Sequence, residues 1–368
     1  MEQTLFPPLP ADSVATLNKL DSALATVFPL KPKFRQDLPY AVKDLSDYLT
    51  RDRALRRPDY MAEPRFFSAY LYYFLPWNLL RLARLFKGLQ IDVPSGSHLL
   101  DLGSGPLTVP LAMYIGLPHL RDRELTFTCV DLAPRSMRVG MDLFKELAGQ
   151  SCPWKFNLVK GSLDAKNSAP ANWVIAANAF NEFDSSARSA AKMERSAHIL
   201  AKAVSFGGQL LLIEPGTRWG GRAISKLREM LIEQGFVPLA PCTHSNECPM
   251  PGDSRSQWCH FNFDVKGAPK WLVSLTARAK MPKEDLSLSL FLATKGDVFT
   301  PEGVRVISQK FFVPAGLGQY GCSAKGLTLI VTKKGGFFPG QLLKANWPQN
   351  PELDRKSGAV ILPVLETK

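Results

Sequence analysis

Apolar residues recur at helical spacing through the first part of the chain. Leucines and a phenylalanine between residues 17 and 28 repeat every three or four positions, a period that predicts an amphipathic helix. Residues 77–86 mix leucines with arginines, so we expect a helix with its leucines in the core and its arginines on the opposite face. Residues 1–90 are therefore predicted to form a helical amino-terminal region.

The pattern changes to short apolar runs further along the chain. These runs cover residues 98–102, 126–131, 156–162, 173–178 and 208–214. Each has the length of a strand, and the stretches between them have helical spacing. Strands that alternate with helices are typical of a doubly wound sheet. We therefore expect an α/β, Rossmann-like domain over residues 91–235.

A glycine turn follows the first of these predicted strands. The strand ends at Asp101-Leu102-Gly103-Ser104-Gly105, and an apolar helix is predicted from Thr108. A turn of this kind lets the backbone approach a ligand closely, next to the amino end of a helix. Asp131 ends the second strand and could hold both hydroxyls of a ribose. A nicotinamide cofactor is the competing interpretation, although no hydride-transfer residues accompany the turn.

Four of the six cysteines follow this domain, at Cys242, Cys248, Cys259 and Cys322. They lie in short loops rich in proline and glycine, which can turn several sulfur atoms toward one point. In a reducing compartment such a group favours a metal site. Buried thiols without a ligand are one alternative, and disulfides are another. Disulfides would require an oxidising compartment, and the sequence carries no recognisable signal peptide.

The spacing of these cysteines does not decide which metal centre they would bind. It is not the paired Cys-x-x-Cys arrangement typical of structural zinc, although zinc tolerates others. An iron–sulfur cluster needs four thiolates and commonly takes one from a distant segment. His244 and His260 could replace a cysteine as a ligand, or they could donate hydrogen bonds to the ligands. Cys129 lies in an apolar run and is predicted to pack in the core, and Cys152 stands apart from the group.

The order of strands and turn resembles the class I S-adenosylmethionine-dependent methyltransferases over residues 95–215. The resemblance implies that S-adenosylmethionine is the cofactor. It places Gly103 and Gly105 near the methionine part of the cofactor. It also places Ser162 near the adenine and Asn178 opposite the methyl group. The implied cofactor-binding residues are Asp101, Gly103, Gly105, Asp131, Ser162 and Asn178.

The cysteines extend the resemblance to a narrower family. Together with Ala69-Tyr70-Leu71, they resemble the methyltransferase-like proteins of the small ribosomal subunit. That resemblance implies a 4Fe–4S cluster on Cys242, Cys248, Cys259 and Cys322, with zinc as the alternative. It also implies association with the small ribosomal subunit and its rRNA. We predict a Cys-rich metal-binding insertion with the last strands of the sheet over residues 236–335, and a tail over 336–368.

The charge of the chain fits a polyanionic partner. The net charge is +12, and residues 201–368 hold 21 Lys and Arg against 13 Asp and Glu. Such an excess favours contact with phosphates, although a solvated basic surface is the simpler alternative. No apolar stretch reaches the roughly 18 residues of a membrane-spanning helix, so no membrane span is expected. The amino end has no Arg-rich leader, which predicts a bacterial cytoplasmic protein.

Catalysis is the least determined part of the prediction. Many amino-group methyltransferases carry an Asn-Pro-Pro-aromatic string after the fourth strand, whereas residues 178–183 contain no proline. The motif also has Leu107 where a third glycine is usual. Asn181, Glu182 and Asp184 could form a polar rim of the pocket or an ordinary helix start. The chain is thus predicted to be either an rRNA methyltransferase or a non-catalytic ribosome assembly factor that uses the fold to bind RNA.

Overall fold

A computed structural model describes residues 4–50, 60–162, 169–180, 187–253 and 256–364. Residues 51–57, a basic run with four arginines, lie outside these residues, as does the predicted polar rim of Asn181, Glu182 and Asp184. Among the described helices, none combines the length and the apolar character that crossing a bilayer requires.

Helices form the amino-terminal region, as the apolar spacing predicts. They are α1 (Ala11–Asn18), α2 (Leu20–Val27), α3 (Pro32–Thr50), α4 (Pro64–Ala69) and α5 (Leu75–Gly88). A short 3₁₀ turn covers Tyr60–Ala62, and a π-helical turn over Tyr70–Phe74 joins α4 to α5 without a break. Such π turns often occur at functional sites.

The arginines of α5 differ from the prediction. Arg81 and Arg84 are only 8% and 2% exposed, so the predicted polar face of arginines is wrong. Arg84 pairs with the carboxylate of Asp264 at 2.7 Å and donates to the carbonyl of Phe6 at 2.6 Å. The guanidinium groups are buried because distant segments supply their acceptors.

The central sheet has eight strands and contains the five that the sequence predicts. Its strands are β1 (His98–Leu102), β2 (Thr126–Asp131), β3 (Lys155–Lys160), β4 (Ala171–Ala177), β5 (Val204–Pro215), β6 (Phe236–Ala240), β7 (Phe261–Asp264) and β8 (Asp285–Lys295). The order is β3-β2-β1-β4-β5-β8-β6, with β7 also paired to β8. The first five strands are parallel, and β8 is antiparallel to β5 and β6. The result is an α/β Rossmann-like fold with a mixed sheet.

Helices cover both faces of this sheet. They are α6 (Thr108–Gly116), α7 (Pro134–Ala148), α8 (Ala187–Ala203), α9 (Arg218–Glu233) and α10 (Lys270–Arg278), with a 3₁₀ turn over Pro118–Leu120. One core lies between the sheet and the amino-terminal helices, and the other lies under α8 and α9. Because parallel strands covered on both faces are apolar throughout, their runs are visible in the sequence.

A second, six-stranded sheet follows the first. It contains β9 (Val304–Val306), β10 (Phe311–Val313), β11 (Gly316–Ser323), β12 (Gly326–Thr332), β13 (Leu342–Leu343) and β14 (Val360–Val364). The prediction placed the last strands in the first sheet and a tail over residues 336–368. In the structure only β6–β8 extend the first sheet, and β13 and β14 belong to the second. The domain boundaries themselves stay predictions.

Candidate functional site

The glycine turn lies at the carboxyl edge of the central sheet. Gly103 and Gly105 have φ angles of +76° and +53°, which glycine adopts without strain. A Cβ at Gly103 would lie 3.1 Å from the Cβ of Ala179, whereas one at Gly105 would find only Thr108 Oγ1, at 3.9 Å. The turn therefore leaves its backbone open to a ligand.

Asp101 is buried directly beneath this turn. Ser104 Oγ donates to its Oδ2 at 2.5 Å, while its Oδ1 has no hydrogen-bond partner among the described residues. Burial raises the pKa of Asp101 to about 7, the bond from Ser104 opposes this, and the charge of Asp131 adds to it. A buried carboxylate oxygen without a donor is suited to bind a donor from a ligand.

Asp131 lies next to the turn, at the end of β2. The backbone N–H of Gly105 donates to its Oδ2 and that of Ala133 to its Oδ1, both at 2.8 Å. Each carboxylate oxygen accepts more than one hydrogen bond, so these bonds leave acceptor capacity for a ribose. Leu132 follows with 67% of its surface exposed, which provides an apolar contact beside the acid.

Asn178 directly follows β4 and has a left-handed φ of +60°. The buried Arg81 donates from Nη2 to the Oδ1 atoms of Asn178 at 3.0 Å and of Asn78 at 2.8 Å. Its Nη1 donates to the carbonyl of Ser287 at 3.1 Å. Burial lowers the pKa of Arg81 to about 10. A guanidinium from α5 thus holds the side chain that the family resemblance predicts opposite the methyl group.

Tyr70 is a residue that the prediction of the site missed. Burial raises its pKa, the charge of Asp131 adds to this, and hydrogen bonding with the side chains of Asn78 and Thr108 opposes it. The π-helical turn therefore brings Tyr70 against the glycine turn and its helix. The only signal in the sequence is the string Ala69-Tyr70-Leu71, which carries no spacing that indicates a pocket.

The structure brings most of the predicted cofactor residues to one edge. Asp101, Gly103, Gly105, Asp131 and Asn178 surround the ends of β1, β2 and β4. Ser162 is exposed and follows β3 at the same edge. Because the carboxyl ends of parallel strands meet there, the strand pattern alone predicts this grouping.

The four downstream cysteines line one cavity. Cys242 follows β6 and Cys248 lies in the next loop. Cys259 precedes β7, and Cys322 comes from β11 of the second sheet. The buried Arg228 of α9 and Arg305 of β9, with His244, line the same cavity. The cavity therefore lies where the two sheets meet.

Hydrogen bonds and burial determine the protonation state of the thiols in this cavity. Arg228 Nε donates to Cys242 Sγ at 3.2 Å, and His244 Nε2 lies 3.3 Å from Cys322 Sγ. Burial raises the pKa values of the Cys242, Cys259 and Cys322 thiols. The neighbouring sulfur atoms raise that of Cys259 further. Without a bound cation, these thiols are therefore protonated at neutral pH.

Arg305 is the second buried cation at this cavity. Its Nε donates to the carbonyl of Pro241 at 3.1 Å and its Nη1 to that of Gly340 at 2.9 Å. Burial lowers the pKa of Arg305 to about 10. Over the described residues, neither Arg305 nor Arg228 forms an ion pair with a carboxylate. Two buried positive charges thus face four sulfur atoms.

The predicted metal-binding insertion is not shown as such. In the described ranges, no three or more His, Cys, Asp or Glu side chains form a group that could hold a metal ion. All six cysteines are free, so the disulfide alternative is excluded in this structure. Cys129 is buried in β2, as predicted, and Cys152 is half-buried elsewhere.

Comparison with known proteins adds one family. The family model described as mitochondrial small ribosomal subunit Rsm22 matches residues 67–347. No curated protein gives a significant match.

Several solved methyltransferases are similar to parts of the chain. Phosphoethanolamine N-methyltransferase 2 of Haemonchus contortus, in complex with S-adenosyl-L-methionine, is 11% identical, with 65% of this chain and 60% of that one covered and a TM-score of 0.37. A chain from a complex of the Haloferax volcanii Trm112 methyltransferase activator with a methyltransferase is 13% identical. The match covers 65% of this chain and 96% of that one, with a TM-score of 0.35. A TehB-like methyltransferase of Corynebacterium glutamicum is 15% identical. The match covers 58% of this chain and 86% of that one, with a TM-score of 0.33.

Proposed function

The chain belongs to the mitochondrial small ribosomal subunit Rsm22 family, and we propose that it is an S-adenosylmethionine-binding, methyltransferase-like protein that acts on the small ribosomal subunit or its rRNA. The observation that carries the cofactor is the buried Oδ1 of Asp101, which has no partner among the described residues and lies beneath an open glycine turn. When bound, this cofactor supplies a methyl group. The ribosomal partner is inferred from the family to which the chain belongs.

The residues at the sheet edge fit this cofactor in charge and shape. The cofactor's amino group is a cation with N–H donors, which is the complement of the Asp101 carboxylate. Asp131 would accept from the ribose hydroxyls, and Leu132 would contact the adenine. Gly103 and Gly105 would admit the methionine part, and Ser162 would lie beside the base.

Calorimetry with S-adenosylmethionine and its demethylated product tests this assignment. Wild type should bind, and Asp131→Ala should bind at least about tenfold more weakly because a charge-assisted acceptor pair is lost. Asp122→Ala, an exposed acid outside the turn, is the matched control and should leave binding unchanged. Wild-type protein with no measurable affinity would remove the cofactor from the proposal.

A non-catalytic assembly factor is the second candidate, and the Arg81–Asn178 hydrogen bond favours it. A nucleophile that accepts a methyl group usually needs a nearby acceptor for its proton. Here the side chain at the end of β4 is the amide of Asn178, which is too weak a base to take up a proton, and the guanidinium of Arg81 that donates to it is already protonated. The fold would then serve as an RNA-binding platform that senses the cofactor without transferring its methyl group.

Tritiated methyl transfer separates the two candidates. Small subunits isolated from a strain that lacks the protein would be incubated with the protein and labelled S-adenosylmethionine. Label in rRNA, lost in Asp131→Ala, would establish the enzyme. Unlabelled subunits that nonetheless bind the protein would establish the assembly factor.

We also propose that Cys242, Cys248, Cys259 and Cys322 hold a 4Fe–4S cluster. Four thiols around one cavity supply the ligands, and bound thiolates are anionic whatever their pKa without metal. Four thiolates give such a centre a net negative charge. Arg228 and Arg305 supply two buried positive charges that need a counter-charge.

A cluster and a zinc ion require different spacings of their four sulfur ligands. A single zinc ion with Zn–S bonds of about 2.3 Å would bring its four sulfur ligands within about 4 Å of one another. A cubane cluster binds each thiolate through a different iron, so its ligands stand further apart around a cavity.

Anaerobic purification tests the cluster. The holo protein should be brown and contain about four irons per chain. Replacing any one of the four ligands by serine should lose iron, whereas Cys129→Ser, a buried thiol away from the cavity, should not. One equivalent of zinc in aerobic and anaerobic preparations alike would refute the cluster.

A further inference from the structure

Strands β9–β13 of the second sheet lie in a segment of one charge sign, whereas Glu352 and Asp354 follow that segment and precede β14. Residues 303–351 contain no Asp or Glu, and their basic residues are Arg305, Lys310, Lys325, Lys333, Lys334 and Lys344. Arg305 is buried at the cysteine cavity, whereas the five lysines are exposed. A surface with lysines and no carboxylates attracts a polyanion and repels a basic partner.

Two phenylalanine side chains stand in solvent on this segment. Phe312 of β10 is 90% exposed, and Phe338, after β12, is 72% exposed. Neither packs into the core of the second sheet, which lies around Val304 and Ile330. Exposed rings between cations are the arrangement on which unpaired bases stack.

Strand pairing brings Phe312 close to the lysines. Phe312 pairs with Leu317 across the β10–β11 hairpin, and Leu317 pairs with Thr332 of β12. Lys333 and Lys334 directly follow Thr332. Because paired residues share one face of a sheet, Phe312 stands at the end of the sheet where these lysines emerge.

The buried Gln319 holds the loop of Phe338 at the same place. Its Nε2 donates to the carbonyls of Ser308 at 3.1 Å and Phe337 at 2.9 Å, and its Oε1 accepts from Phe337 N at 2.7 Å. A Cβ at Gly336 would lie 3.5 Å from Lys310 Cδ. These contacts place the Phe338 loop beside Lys310 and strand β11. Five exposed residues at this end of the second sheet, Lys310, Phe312, Lys333, Lys334 and Phe338, are called the lysine–phenylalanine patch.

We propose that the lysine–phenylalanine patch binds a single-stranded segment of small-subunit rRNA. Its two rings stack on bases and its three lysines contact phosphates. The ribosomal partner rests on the proposed function. A duplex is disfavoured because its bases are already stacked and their faces are closed to the rings.

Fluorescence anisotropy of the full-length holo protein with a labelled single-stranded RNA of about 16 nucleotides tests the patch. The double variant Phe312→Ala/Phe338→Ala should bind at least about 25-fold more weakly, since each lost stack costs about fivefold or more. Its salt dependence should stay that of wild type. Lys333→Gln/Lys334→Gln should instead lower the slope of log affinity against log salt by about 1.4.

Matched controls separate the patch from general exposure. Phe206→Ala removes a ring that is 80% exposed on β5 of the first sheet, and it should bind as wild type does. Exposed substitutions of this kind should leave the melting temperature nearly unchanged. A duplex of the same length should show no effect of the phenylalanine variants.

Three outcomes would overturn the proposal. Equal RNA affinity of wild type and the phenylalanine double variant would remove the patch but leave the proposed function intact. Lost binding to small subunits with unchanged affinity for RNA would assign the patch to a protein partner. Wild-type protein that binds neither RNA nor small subunits would overturn the proposed function as well.

Discussion

Replacing Asp101 by asparagine is expected to stabilise the protein at alkaline pH. The carboxyl is fully buried at the end of β1, and its one described hydrogen-bond donor is Ser104. Burial raises its pKa to about 7. Above that pH the folded protein therefore holds a buried negative charge with incomplete compensation.

The sign and size of the effect follow from linkage. The unfolded carboxyl ionises at a pKa of about 3.9, whereas the folded one keeps its proton up to about pH 7. Since the folded state binds more protons between these values, its free energy of unfolding falls as pH rises from about 4 to 7. The difference of roughly 3 pH units corresponds to about 4 kcal/mol.

The asparagine side chain would keep the shape of the carboxyl group without its charge. Its amide group adds buried donors, which costs about 1–3 kcal/mol if they find no acceptor. The Asp101→Asn variant should thus be more stable than wild type by about 1–3 kcal/mol at pH 8 and about equal at pH 5. Urea unfolding at both pH values measures this, and the stability difference should change by about 3 kcal/mol between them.

Two further observations decide the outcome. Asp122→Asn, at an exposed position, should leave the pH dependence unchanged. The cofactor's ammonium group favours ionised Asp101, so wild-type affinity for S-adenosylmethionine should rise between pH 6 and 8, and the affinity of Asp101→Asn should not. Identical pH dependence of stability in wild type and Asp101→Asn would refute the reasoning.

Three other substitutions test separate contacts. Leu107→Gly relieves a left-handed φ of 54°, which should add about 1 kcal/mol to the free energy of unfolding. It also removes a fully buried side chain, which should cost about 3–5 kcal/mol. Urea unfolding should therefore show a net loss of about 2–4 kcal/mol, and a gain would contradict this balance. Arg84→Met removes the donor to Asp264 and should cost about 2–4 kcal/mol by the same measurement, whereas no loss would mean that the pair contributes nothing. Arg228→Met removes the hydrogen bond to Cys242 and a positive charge, so iron per chain should fall in anaerobic preparations; full iron content would argue against charge compensation.

Much of the fold was predictable because its central strands are buried on both faces. β1, β4 and β5 are apolar along most of their lengths, and this local signal does not depend on distant contacts. The arginines of α5 were not predictable in this way. Arg84 is buried because the Asp264 carboxylate arrives from 180 residues downstream, and helical spacing holds no information about that partner.

The same distinction divides the candidate cofactor site. Asp101 and Asp131 end neighbouring parallel strands, so their meeting follows from strand order. Tyr70 and Arg81 reach the pocket from a separate layer through a π-helical turn and a buried helix. Their roles depend on how that layer packs against the sheet, which no spacing in the sequence reports.

The cysteine cavity and the lysine–phenylalanine patch are linked through the second sheet. Cys322 lies on β11, the strand whose Gln319 holds the loop of Phe338. Hydrogen bonds also cross between the sheets, including Arg305 to the carbonyl of Pro241 and Asn246 to that of Ala324. Each such bond contributes about 1 kcal/mol, whereas metal–thiolate bonds can contribute on the order of 10 kcal/mol to folding. In the proposed holo protein, the cluster therefore adds a strong covalent attachment between the second sheet, which carries the patch, and the loops that follow β6.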